Sequence, residues 1–316
     1  MIAAMTVVDA LVLGVVQGLT EFLPISSTAH LRIVPALFGQ EDPGGAFSAV
    51  LQLGTLAAVI VVMARDIRRL LAGCLLGLAS GRPLVSPEAR TCLWILVGTV
   101  PIVVCGLAFK EFIKGPLRSI ESIIASLVVG TVLMAAAEWW YARRARGGDG
   151  GRAGIDQVGL RDGLVMGGAQ AAALLPGMSR SGVTIATGMF AGLDRPTAAR
   201  FSFLLSLPAI TAAAVLEAIE ERDAILGTPE ARAAMAWGTL AAAVVGFVAI
   251  RWLLRLLATR SLWPFVAYRL ALAAVLAALV GTGRIESGSS EIAAPAAAGP
   301  ADGSDRGSIP SRLNFL

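Results

Sequence analysis

Six stretches of this chain approach or exceed the roughly 20 apolar residues a helix needs to cross a bilayer: Phe47–Met63, Thr91–Phe109, Ser119–Tyr141, Phe201–Ala218, Ala233–Leu257 and Pro264–Val280. In lipid every backbone N–H and C=O has to find a partner within the protein, so runs of this length are expected to be helices. Only 15% of the 316 residues are charged and 56% are hydrophobic, with a mean hydropathy of +0.75, whereas globular domains carry about a quarter charged residues. The expected fold class is an all-α polytopic membrane protein.

Other classes drop out on simple grounds. The N-terminal "MIAAMTVVDALVLGVVQGL" has no basic n-region, carries Asp9 and runs straight into a polar motif, so it is not an ordinary secretory signal. Cys74, Cys92 and Cys105 show no metal-like spacing and are expected to be small buried hydrophobes. With one histidine and no Cys/His cluster, zinc, haem and iron–sulfur chemistry are disfavoured. The net charge of +4 comes from arginines at helix ends, a topology signal rather than a nucleic-acid signal.

Those arginines set an orientation. "RDIRR" (65–69), "RRARGGDGGR" (143–152) and Arg251, Arg255 and Arg260 follow alternate spans, while "GQEDPGG" (39–45) and "EAIEERD" (217–223) on the opposite side are acidic. The positive-inside rule makes the arginine loops cytoplasmic and leaves both termini outside. The basic loop "KEFIKGPLRS" (110–119) is a weak dissenter. Residues 1–281 are expected to form one membrane domain, and the Gly/Ser/Ala/Pro-rich 282–316 a disordered tail.

The chain also resembles itself. "FSAVLQL" at 47–53 recurs as "FSFLLSL" at 201–207, an offset of 154, and Gln17 with Ser26 recurs as Gln170 with Ser179, an offset of 153. Repeat one spans about 7–141 and repeat two about 160–281. Two spans lie between the matched ones, so the copies are inverted, a common transporter plan with functional sites at the repeat interface. Ahead of each Phe-Ser span the apolar pattern is broken: Leu11–Phe22, Pro24, Ala29–Phe38 in one copy, and Leu164–Leu175, Pro176-Gly177, Ser181–Ala191 in the other. Both read as re-entrant helical hairpins, giving six transmembrane helices plus two hairpins whose tips are inferred to meet.

Chemistry concentrates at those tips. Ser26 or Ser27 in one and Ser179 in the other are placed to cap a helix N-terminus, where free N–H groups and partial positive charge favour an anion. Arg180 adds a fork suited to phosphate or carboxylate oxygens. An arginine near the bilayer centre costs about 2.5–3.5 kcal/mol, which a phosphate partner would offset. Gln17 and Glu21 share a helical face and offer hard oxygen ligands for Mg2+ or Ca2+. Ser27 and His30, three apart, are spaced for an imidazole to reach a hydroxyl nucleophile, and Arg180 shares a face with Thr184. A charge stabiliser, metal ligand, nucleophile and proton carrier suit phosphoryl transfer. Several residues have plainer readings: Thr28 and Thr187 as helix glue, Gln17 and Gln170 equally so, Arg32 as a snorkelling side chain, Glu138 as an interfacial anchor. A lone histidine is more often structural than catalytic. Glu21 and Arg180 resist such readings best.

"QGLTEFLPISSTAH" together with "PGMSRSGVT" resembles the undecaprenyl-diphosphate phosphatase family of the bacitracin-resistance type. Gln17, Glu21, Phe22, Leu23, Pro24, Ser26, Ser27 and His30 fill its first signature. Pro176, Gly177, Ser179, Arg180, Ser181 and Thr184 fill its second, and the similarity runs from about 7 to 280. The resemblance implies a multi-pass enzyme of the cytoplasmic (inner) membrane that hydrolyses undecaprenyl diphosphate to the monophosphate and inorganic phosphate. That reaction recycles the carrier for cell-wall synthesis and confers bacitracin resistance. The family site faces the outer side and needs a divalent cation. By position, Glu21, Ser27, His30 and Arg180 resemble its catalytic residues, Ser26, Ser179, Ser181 and Thr184 its phosphate-binding set, and Glu21 with Gln17 its metal ligands. Position 17 departs from the pattern, since many members carry Glu there. An inverted repeat with broken helices also suits a flippase of the lipid monophosphate. A homodimer stays open.

Overall fold

A computed structural model describes residues 6–38, 44–82, 84–114, 116–220 and 227–283. The tail beyond 283 and parts of both acidic loops (39–43 and 221–226) lie outside the described residues. The rest is helical, with one isolated bridge between Arg152 and Leu193. In chain order the helices are α1 (Val7–Phe22), α2 (Ser27–Leu37), α3 (Gly44–Val62), α4 (Ala64–Ala79), α5 (Pro87–Ala108), α6 (Lys110–Lys114), α7 (Ile120–Arg146), α8 (Leu160–Ala172), α9 (Arg180–Phe190), α10 (Arg195–Glu220), α11 (Pro229–Thr259) and α12 (Trp263–Gly281).

Among these, α5, α7, α10, α11 and α12 are each long and apolar enough to cross a membrane. A sixth crossing is available if α3 and α4, bent by 78° at their junction, count as one. The protein is an all-α polytopic membrane protein. Each of the six apolar stretches falls on one of these helices. The helix α4 was not expected: "RDIRR" reads as a loop, yet Met63, Leu70 and Gly77 put one face against the protein while Leu71, Leu75, Leu76 and Leu78 remain exposed. The cysteines also differ from expectation. All three are half-buried rather than enclosed, because they lie on helix flanks.

Both hairpins are helix–turn–helix units that begin earlier than their apolar runs. Thr6 and Asp9 form a reciprocal capping box that starts α1 at Val7. Asp162 accepts from Gly159 N at 2.8 Å to start α8 at Leu160. Pro176 disfavours helix at the residue before it, so α8 stops short of the expected Leu175.

Each hairpin lies on a helix from the other half of the chain: α1 packs chiefly on α11, and α8 on α5. Their starts carry nearly the same words, "SPEAR" at 86–90 and "TPEAR" at 228–232. Ser86 Oγ accepts from Ala89 N at 3.1 Å and Thr228 Oγ1 from Ala231 N at 3.2 Å. The crossings are backbone-close. A Cβ on Gly14 would lie 2.2 Å from Gly238 O, and one on Gly167 would lie 2.1 Å from Gly98 O. Small residues permit such contact where lipid supplies no hydrophobic drive between helices.

The arginine-rich end is stitched by ion pairs. Arg152 grips Asp162 through two 2.8 Å bonds and Ala191 O at 2.9 Å. Arg200 holds both oxygens of Asp66 at 2.8 Å. Glu138 is enclosed rather than interfacial: it pairs with Arg195, which lies 4.1 Å from the Tyr141 ring, and accepts from Leu262 N at 3.0 Å. These pairs bind α4, α7, α8 and α10 together at the end opposite Glu121 and Ser119.

Candidate active site

The two hairpin tips touch. Gly177 N donates to Thr28 Oγ1 at 3.4 Å, and Ser181 Oγ to Leu23 O at 3.2 Å. At the start of α2 and of α9 stand Ser26 (φ 75°) and Ser179 (φ 71°), the non-glycine residues with positive φ among the described residues. Each stands just before the first turn of a short helix, whose N–H groups lack intrahelical partners.

Glu21 is the centre of the junction. The Arg180 guanidinium donates to Oε1 at 2.5 Å, while Ser27 Oγ and Gln17 Nε2 donate to Oε2 at 2.7 and 2.9 Å. Glu21 and Gln17 belong to α1, Ser27 to α2 and Arg180 to the other hairpin. The buried carboxylate thus stands where an anion would stand between the hairpins. Pairing offsets the desolvation of both charges, which singly would cost several kcal/mol.

His30 does not reach Ser27. Its Nδ1 lies 2.7 Å from Ser26 O and its Nε2 2.7 Å from the Tyr268 hydroxyl. The i, i+3 spacing puts both on one face, but the unusual Ser26 conformation offers a carbonyl to the ring first. The proton acceptor facing the Ser27 hydroxyl is Glu21.

The remaining hydroxyls are engaged locally. Ser26 Oγ makes no capping bond and meets Thr28 Oγ1 at 3.2 Å. Ser179 caps α9 by accepting from Gly182 N at 3.2 Å, and its Oγ lies 3.3 Å from Ser181 Oγ. Thr184 is fully buried, donating to Arg180 O at 2.7 Å and lying 2.6 Å from Ser202 Oγ. It therefore supports the turn carrying Arg180.

Arg269 went unnoticed in the sequence. It is wholly buried, donating to Thr131 Oγ1 at 2.8 Å, Leu127 O at 3.0 Å, and Gly177 O and Met178 O at 3.1 Å each. It fastens the second tip to α7 and α12. The signal was an ionisable residue inside the apolar Pro264–Val280 stretch, which is functional by default. Thr131 lies about 17 Å along α7 from Ile120 and about 18 Å from Arg143, at 1.5 Å per residue. The junction therefore sits near mid-helix.

Gln17 Oε1 is buried with no hydrogen-bond partner, and so are both polar atoms of Gln170. Among the described residues, no three His, Cys, Asp or Glu side chains cluster as a metal site. What a hard cation would find is one orphaned amide oxygen beside one carboxylate.

Comparison with known proteins identifies the family. The family model described as bacitracin resistance protein BacA matches residues 10–275. Proteins named undecaprenyl-diphosphatase are similar over nearly the whole helical region. That of Chlorobaculum tepidum is 48% identical over 281 residues, covering 89% of this chain and 99% of its own. That of Chlorobium phaeobacteroides is 47% identical, covering 90% and 100%, and that of Prosthecochloris aestuarii is 44% identical with the same coverage. With both hairpin signatures inside the matched region, the chain belongs to the bacitracin resistance protein BacA family.

Proposed function

We propose that this protein hydrolyses undecaprenyl diphosphate to undecaprenyl phosphate and inorganic phosphate, which recycles the lipid carrier for cell-wall synthesis and confers bacitracin resistance. The name of its relatives supplies the substrate. The observation that carries the reading is the buried Glu21, which takes Arg180 from one hairpin and Ser27 from the other.

On arrival the terminal phosphate competes with Glu21 for Arg180, whose fork suits phosphate oxygens, and lies against the N-termini of α2 and α9. Ser27 Oγ attacks the terminal phosphorus, and its proton passes to Glu21 Oε2. The bond from that phosphorus to the bridging oxygen breaks, and undecaprenyl phosphate leaves with the electron pair. Water then attacks the phosphoserine phosphorus with His30 Nε2 as the proton acceptor, the phosphorus–Oγ bond breaks, Glu21 Oε2 returns its proton to Ser27 Oγ, and phosphate departs. Direct attack by water is the alternative route, and rapid-quench trapping of label on Ser27 separates the two.

The orphaned Gln17 Oε1 and the Glu21 carboxylate are the groups that would hold a divalent cation, Mg2+ or Ca2+. Such an ion would neutralise charge gathering on the phosphates. With glutamine at 17 the protein supplies one negative charge rather than two. The arginine-rich end is cytoplasmic in this reading, and the junction of the hairpin tips is reached from the outer side.

Phosphate release from a C55 diphosphate by purified protein in detergent, where no membrane remains to be crossed, tests the reading against lipid flipping. Turnover is expected. Arg180→Ala should lower it about 10²–10³-fold, the usual cost of losing one charge-stabilising group, and His30→Ala should also lose most turnover. Near-normal release by Arg180→Ala would end the mechanism.

A further inference from the structure

The chain has one histidine, and its ring is held at both nitrogens. Ser26 O, 2.7 Å from Nδ1, can only accept, so Nδ1 carries the proton. In the neutral ring Nε2 then holds the lone pair and accepts from the Tyr268 hydroxyl at 2.7 Å. The two rings are stacked, with centroids 5.7 Å apart and planes 10° apart. Tyr268 comes from α12, far from the hairpin in sequence, and is 44% exposed, while His30 is 8% exposed.

We propose that Tyr268 is a positioning residue for the phosphatase reaction. With the Ser26 carbonyl holding Nδ1–H, the Tyr268 hydroxyl holds Nε2, the ring's proton acceptor, and fixes the orientation in which that atom is presented. The tautomer follows from two hydrogen bonds of opposite sense: the carbonyl demands a donor, and the phenol supplies one. Stacking stops the ring from turning. Position 269 supplies the complement, since Arg269 holds Gly177 O and Met178 O of the second tip. Adjacent residues of α12 therefore fix the first hairpin through His30 and the second through its backbone. In the hydrolytic half-reaction, water replaces the phenol at Nε2 and meets a ring already in the accepting form. That kinetic consequence rests on the phosphatase reading, whereas the tautomer does not.

Because the histidine is single, ring-15N histidine labelling of the full-length protein in detergent reports one pair of nitrogens. Wild type is expected to show the Nδ1–H tautomer alone. Tyr268→Phe, which keeps the stacked ring but removes the donor at Nε2, should move the Nε2 resonance toward that of an unbonded acceptor nitrogen while Nδ1 stays protonated. It should also lower kcat about tenfold or more, against the 10²–10⁴ that proton transfer contributes, with KM and the thermal midpoint nearly unchanged. An unaltered nitrogen spectrum in Tyr268→Phe, or an unaltered kcat, overturns the proposal. If wild type releases no phosphate, the phosphatase reading fails while the spectra still decide whether Tyr268 holds Nε2.

Discussion

Ser26 and Ser179 hold φ values of 75° and 71° with ψ of 97° and 103°, a conformation that costs an L-residue about 1–3 kcal/mol. Glycine would adopt it freely, so serine at both positions calls for a reason beyond the turn. At Ser179 the reason is visible: Oγ caps α9. At Ser26 the side chain caps nothing, and what matters is the carbonyl, which receives His30 Nδ1. The backbone strain there aims a hydrogen-bond acceptor at the histidine. Ser26→Gly should therefore stabilise the protein by about 1 kcal/mol by relieving that strain, less the entropy that glycine adds to the unfolded chain. It should also slow turnover, because the tip no longer has one preferred geometry. Thermal unfolding in detergent beside phosphate release reads both effects. A loss of stability with turnover intact would show that the strained backbone does not serve the site.

At the scale of elements, the hairpins depend on glycines that let backbones meet. "GVVQG" in α1 and "GLVMG" in α8 place small residues four apart on the faces that meet α11 and α5. Gly14→Ala or Gly167→Ala would drive a methyl into a carbonyl backbone with no flexible side chain to yield. Each is expected to cost about 1–3 kcal/mol and to weaken turnover by displacing Glu21 or Arg180. Gly168→Ala is the matched control: nothing lies within 4 Å of its Cβ, and helix propensity alone should add about 0.5–1 kcal/mol. Equal thermal midpoints for Gly167→Ala and Gly168→Ala would remove the close crossing from the account. Much of this architecture is legible in the sequence, because apolar length dictates helices and Pro24 and Pro176 dictate breaks. Glu21 and Arg180 were legible as charges without a plausible lipid-facing role. The partners of His30 were not, since Ser26 offers a backbone atom through an uncommon dihedral and Tyr268 arrives from a helix 238 residues away. Spacing along one helix could say only that Ser27 and His30 share a face. Arg269 was readable by the same rule that found Arg180. It was masked by the length of its apolar run.

For the whole molecule, charge is sorted by end. Arg65, Arg68, Arg69, Arg143, Arg144, Arg146, Arg251 and Arg255 lie at one end of their helices, with the Arg152–Asp162, Arg195–Glu138 and Arg200–Asp66 pairs. The 27-residue α7 runs about 40 Å at 1.5 Å per residue, from Glu121 in its first turn to the arginines of its last. It is therefore a ruler across the bilayer, and its ends decide which way the hairpins face. The positive-inside rule places Asp149, just past that arginine end, in the cytoplasm and Glu121 outside. In a background with Cys74, Cys92 and Cys105 replaced by alanine, Glu121→Cys should react with a membrane-impermeant maleimide in intact spheroplasts, and Asp149→Cys only in inverted vesicles. Both positions are exposed, so a failure to label would reflect sidedness rather than burial. The reversed pattern would turn the molecule over. It would exchange the compartments that the two ends of α7 face. The outcome of the labelling fixes which compartment the arginine-rich end faces and which the end carrying Glu121 faces.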